Sequence, residues 1–69
     1  MTFKYDRLLG RIVEKFGTQY NFSIAMGLSE RTISLKLNNK RRWTDEDIAK
    51  AAGLLDIQSS EIHEYFFVN

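Results

Sequence analysis

Between residues 30 and 42 the chain reads ERTISLKLNNKRR, and this stretch gathers the side chains best suited to recognising another polar molecule. A helix over 30–38 that turns Ile33 and Leu37 inward would advance about 100° per residue. Arg31, Leu35 and Asn38 would then lie on its far side, with Ser34 at the flank and Glu30 and Thr32 at its start. An arginine can donate two parallel hydrogen bonds to guanine O6 and N7, a leucine can meet a thymine methyl, and a glutamate can accept from cytosine N4. Glu30, Arg31, Ser34 and Leu35 are therefore the candidate base-reading residues of a double-stranded DNA interface. Lys36, Lys40, Arg41 and Arg42 lie around and after the same helix, where they could neutralise phosphates. Such contacts supply affinity but carry no sequence information.

No other stretch offers comparable chemistry. The chain has no cysteine, so neither a disulfide nor a thiolate zinc site supports it. Its one histidine, His63, could not hold a metal without carboxylate help. His63 is expected to be a surface or helix-packing residue. No carboxylate pair, no nucleophile beside a base and no glycine-rich phosphate loop occurs at a workable spacing. The expectation is a protein without catalytic activity, metal, cofactor or small-molecule substrate.

Charge supports a polyanionic partner. The net charge is only +1, but it is unevenly laid out. Residues 1–42 hold nine cations against three acids, a surplus of six; residues 43–69 hold Lys50 against six acids, a deficit of five. A basic half joined to an acidic half suggests one face that meets a polyanion and another held away from it. No apolar run approaches the ~18 residues of a membrane span, and the N-terminus lacks the apolar stretch of a signal peptide. A cytoplasmic protein acting at the host nucleoid, away from membranes, is expected.

A chain of 69 residues makes one domain, residues 1–69, with a small core. Its periodicity predicts five helices. In the first, Tyr5, Leu8, Leu9, Ile12, Val13 and Phe16 form one broad apolar stripe at helical spacing, and Gly17 stops it. Thr18 can cap a second helix that buries Phe22, Ala25 and Met26 and ends at Gly27, where glycine tolerates a positive φ. Ser29 can cap the third. Thr44 with Asp47 resembles a capping box opening a fourth helix, whose buried stripe is Ile48, Ala51, Ala52 and Leu55. Ile57 is expected to plug the core, and Trp43 to sit beneath the preceding loop. Ser59 or Ser60 would cap a fifth helix with Ile62, Tyr65 and Phe66 inward. Tyr65, Phe66, Phe67 and Val68 are either core or a dimer contact.

Residues 18–42, TQYNFSIAMGLSERTISLKLNNKRR, resemble the helix-turn-helix of the lambda repressor and Cro-like family of phage and bacterial regulators. Residues 48–66, IAKAAGLLDIQSSEIHEYF, resemble that family's last two helices. The segments KFGTQ at 15–19 and EIHEYFF at 61–67 are similar to those of a group of small phage proteins. The resemblance spans essentially the whole chain. It implies an all-α, compact five-helix lambda-repressor-like domain with a central helix-turn-helix. Gln19 then matches a glutamine that contacts phosphate and braces the recognition helix, and Asn38 matches an asparagine that touches phosphate after it. Thr18 and Thr32 join Lys36, Lys40, Arg41 and Arg42 in the expected phosphate-contacting set. Two departures stand out: the family often has glutamine where this chain has Glu30, and a buried apolar residue where it has Lys36.

The function implied is a sequence-specific DNA-binding transcriptional regulator, a Cro-like phage repressor. It would read the major groove with helix 30–38 and act by promoter occlusion. One recognition helix reads few base pairs, so a homodimer on operator DNA is expected, formed in solution or on the DNA itself. The rival is a protein-interaction module on the same fold, antirepressor-like or antitoxin-like, with Leu35 and the aromatic tail as its contact surface.

Overall fold

A computed structural model describes residues 2–69. Among these residues run five α-helices: α1 Asp6–Phe16, α2 Gln19–Met26, α3 Glu30–Leu37, α4 Asp45–Leu55 and α5 Ile62–Phe66. A 3-10 turn, Ser59–Glu61, leads into α5. The protein is all-helical, as the periodicity predicts.

Local hydrogen bonds set the helix starts. Thr18 Oγ1 accepts from the Asn21 N–H at 3.1 Å, and Ser29 Oγ accepts from the Thr32 N–H at 3.1 Å. Thr44 Oγ1 accepts from the Asp47 N–H at 3.1 Å while Asp47 Oδ2 accepts from the Thr44 N–H at 3.0 Å, a complete capping box. Each bond satisfies a backbone donor that the first turn of a helix leaves without a partner. The expected fifth cap is displaced. Ser59 and Ser60 lie within the 3-10 turn, and the Gln58 N–H donates to Glu61 Oε1 at 3.1 Å instead. Gly27 closes α2 at φ 74°, in the left-handed region, and the Leu28 N–H reaches the Ser23 carbonyl at 3.0 Å.

These helices bury Leu8, Ile12, Phe22, Ile33, Ala51 and Leu55 completely. Trp43 and Ile57 plug the core as expected, and Trp43 meets Phe66 edge-on with ring centroids 5.2 Å apart. Two expectations are corrected. The stripe on α1 is too wide: Leu8 and Ile12 are buried, but Leu9 is 37% and Val13 53% exposed. Helices α2, α4 and α5 pack on α1, and a domain this small has no further element to cover the rest of the stripe. At the C-terminus, Tyr65 and Phe66 are core residues, closed to a dimer contact, while Phe67 and Val68 stay exposed.

Candidate functional site

Helices α2 and α3 are joined by the short turn Gly27–Ser29, and each is only eight residues long. Isolated helices of that length do not persist in water, so packing holds them. Helix α2 contributes Phe22, Ser23 and Met26 to the interior; the Ser23 hydroxyl donates to the Tyr20 carbonyl at 2.6 Å. Helix α3 contributes Ile33 and, against expectation, Lys36.

Lys36 is the main correction to the sequence reading. Its position predicts a phosphate contact, yet only 4% of it is exposed. Its ammonium donates to Asp47 Oδ2 at 2.6 Å and to the Arg42 carbonyl at 2.8 Å, and it lies 5.8 Å from the centre of the Trp43 ring. Partners in reach of all sides make the buried charge tolerable. Burial pushes the Asp47 carboxyl up, but hydrogen bonds from Lys36 and from the Thr44 backbone and side chain, with the Lys36 charge, together hold it below the ordinary aspartate value. Lys36 thus takes the inward place of an apolar residue because Asp47, eleven residues on, supplies the counter-charge.

The other expected contacts divide. Glu30 and Arg31 are exposed at the first turn of α3. Ser34 and Leu35 are half-buried, so Leu35 is not the open apolar contact its position suggested. The chain folds back after α3, and the Lys40 and Arg41 N–H groups both reach the Leu35 carbonyl, at 2.8 and 3.2 Å. Asn38 turns its amide back on its own helix, donating to the Ser34 carbonyl at 2.7 Å. Thr18 and Thr32 are engaged in the local caps, Thr32 Oγ1 lying 2.9 Å from Ser29 Oγ. Gln19 is half-buried at the start of α2. Lys40, Arg41 and Arg42 are exposed and in no ion pair among the described residues.

Part of the asymmetric charge is used within the molecule. Lys15 pairs with Asp56 at 2.9 Å, Arg7 with Glu64 at 3.2 Å and Lys36 with Asp47, so the basic half is tied to the acidic half. Arg11 adds bonds to the Leu55 and Asp56 carbonyls at 2.8 and 3.1 Å, placing its charge at the C-terminal end of α4. That end carries the negative pole of the helix. The exposed pairs contribute little to stability. Their consequence is that these cations are engaged within the molecule, and the exposed cations near α3 without an ion pair among the described residues are Arg31, Lys40, Arg41, Arg42 and Lys50, whose ammonium lies beside Gly27 in the turn before α3.

Two surface features were not legible in the sequence. The first is apolar. Tyr20 and Ile24, one turn apart on α2, are 57% and 61% exposed, and Leu9 and Val13 stand open on α1, one turn apart as well. The second is a groove of about 430 Å³ between the N-terminal segment, the loop after α3 and the C-terminus. Asn39 builds one wall: its Oδ1 accepts from the Phe3 N–H at 2.9 Å and its Nδ2 donates to the Phe3 carbonyl at 2.8 Å. The Lys4 N–H donates to the Val68 carbonyl at 2.6 Å. Asn39 lies in the left-handed region at φ 61°, which asparagine tolerates better than most residues. Trp43 lines the groove, and its buried indole N–H meets no acceptor among the described residues. Such a donor costs about 1–3 kcal/mol.

Comparison with known proteins gives this arrangement a context. The chain belongs, over residues 1–69, to a family described as "Protein of unknown function (DUF739)". It is similar to a solved structure, the modulator of repression (MOR) of the temperate bacteriophage TP901-1 from Lactococcus lactis, with 58% identity and a TM-score of 0.85 over 97% of this chain and 90% of that one. Among proteins with curated descriptions, none matches.

Proposed function

We propose that this protein is a regulator of repression in a temperate bacteriophage and that it acts by docking on a repressor protein. The observation that carries the reading is the open apolar surface of the first two helices. Leu9, Val13, Tyr20 and Ile24 are all more than a third exposed, in one-turn pairs on two helices that pack together. Open apolar surface of this kind marks protein contacts. The burial of Lys36 against Asp47 supports the same view, because it removes one cation from the expected phosphate-contacting set. The likeness to a modulator of repression at 58% identity is in keeping with it.

A second reading rests on α3. Arg31 is exposed in its first turn, and Lys40, Arg41 and Arg42 follow it without ion pairs. This is the layout of a helix that reads a major groove and is flanked by phosphate contacts, as in lambda repressor and Cro-like proteins. On this reading the protein binds operator DNA by itself, as a homodimer.

One pair of measurements separates them. The protein is titrated into the phage's own repressor by calorimetry, and separately selected against a random duplex DNA pool at low salt. Docking predicts a defined complex with the repressor that Tyr20→Ser/Ile24→Ser abolishes while the helical content is kept. An enriched palindrome bound by the protein alone, with no heat on adding repressor, would establish the second reading and exclude the first.

A further inference from the structure

We propose that the groove between the N-terminal segment and the loop after α3 is a binding site for an acidic peptide segment carrying an aromatic side chain. Its floor is apolar and already built: Trp43 and Phe66 are 7% and 1% exposed, and Tyr5 packs beside Trp43 with ring centroids 6.3 Å apart. Phe3 and Phe67 meet edge-on at 5.7 Å and form its outer rim. Lys40, Arg41 and Arg42 line the remaining side. These are three consecutive like charges with no carboxylate within ion-pair distance among the described residues. The volume, about 430 Å³, falls in the range of small-ligand sites, ~300–1,000 Å³.

Charge complementarity selects the occupant. Three neighbouring cations call for a run of carboxylates, and guanidinium–carboxylate bonds are among the strongest available at a surface. The aromatic floor gives a side chain from that segment a place to leave water. A single-stranded nucleic acid also combines negative charge with rings, but it needs flat, open aromatic faces for stacking. Here Trp43 and Phe66 are buried and cross at 71°, and Phe3 and Phe67 cross at 88°, so the floor suits insertion better than stacking. The Asn39–Phe3 bonds hold the N-terminal wall in place, so the site is formed before any ligand arrives.

Trp43 is the only tryptophan and reports directly on the groove. The intact protein is titrated with the blocked peptide Asp-Glu-Phe-Asp-Glu, with its neutral counterpart Asn-Gln-Phe-Asn-Gln, and with a short oligothymidylate, following tryptophan emission. The acidic peptide should give a saturable change that weakens as salt is added. Arg41→Gln/Arg42→Gln should weaken it about tenfold, the loss expected when two charged donors are removed. These arginines are exposed, so the fold should survive, and far-ultraviolet circular dichroism checks it. The Tyr20→Ser/Ile24→Ser variant should bind the peptide as the parent does, which separates this site from the proposed repressor contact. Equal affinity for the neutral peptide, tighter binding of the oligothymidylate, or indifference to the arginine changes would overturn the proposal.

Discussion

The ammonium of Lys36 lies 2.6 Å from Asp47 Oδ2, and the same carboxylate oxygen accepts the Thr44 N–H at 3.0 Å. One oxygen thus closes the capping box of α4 and anchors α3 to it. The last turn of α3 is therefore held to the start of α4 by a charge pair with 6% and 17% of its side chains exposed. Removing one partner of such a pair costs far more than the pair contributes net, because the other is left charged and buried.

Asp47→Ala strands the Lys36 ammonium and removes the bond from the Thr44 N–H in one step, leaving only the Thr44 Oγ1 half of the capping box. Its expected cost is about 3–5 kcal/mol, a large share of the stability of a domain this size. Lys36→Met should cost less, since Asp47 keeps both Thr44 bonds and the thioether fills the same space. Urea denaturation of the two variants against the parent tests the order; a more damaging Lys36→Met would contradict it.

Acid should loosen the fold through the same carboxylate. Asp47 titrates lower in the folded chain than in the unfolded chain, so its stabilisation is complete above the unfolded value, near pH ~4. It is lost as pH falls through the lower folded value. Stability measured from pH 7 downward should hold until about pH 4 and then drop; in Asp47→Asn that acid limb should flatten. Asp56, held low by its hydrogen bond and charge contact with Lys15, loses its pairing in the same direction from a fully exposed position.

Asn39 offers a graded test of the N-terminal wall. Asn39→Gly keeps the left-handed backbone accessible but removes both bonds to Phe3, an expected loss of about 1–3 kcal/mol at ~0.5–1.5 kcal/mol per bond. Asn39→Ala should be worse, because it adds about 1–2 kcal/mol of left-handed strain. Thermal unfolding gives the ranking, and equal losses for the two would show that the backbone conformation carries no cost there.

Arg31 distinguishes the two functional readings without disturbing the fold. It is exposed and in no ion pair, so Arg31→Ala should leave stability within about 0.5 kcal/mol. Repressor docking through α1 and α2 predicts an unchanged complex. Operator reading predicts a loss of about 1–3 kcal/mol confined to one base pair, measured by binding to single-substituted sites.

The sequence alone determined most of the local bonding, though not the cap before α5, where Glu61 accepts the Gln58 N–H. Thr18, Ser29 and Thr44 cap their helices because each lies within three residues of the N–H it accepts. Gly27 closes α2 because only glycine takes that φ at no steric cost. Periodicity likewise found the deepest residues, such as Leu8, Ile12 and Phe22. Tertiary structure decided what depends on residues far apart in the chain. Leu9 shares the stripe of Leu8, yet it is open, because only the other helices' placement sets how much of α1 is covered. Lys36 looks like a surface cation until Asp47 arrives beside it, and Arg7 and Lys15 likewise pair with Glu64 and Asp56, at separations of 57 and 41 residues. A side chain's charge is written in its residue type, but whether that charge faces a carboxylate or a phosphate is fixed only when distant segments pack.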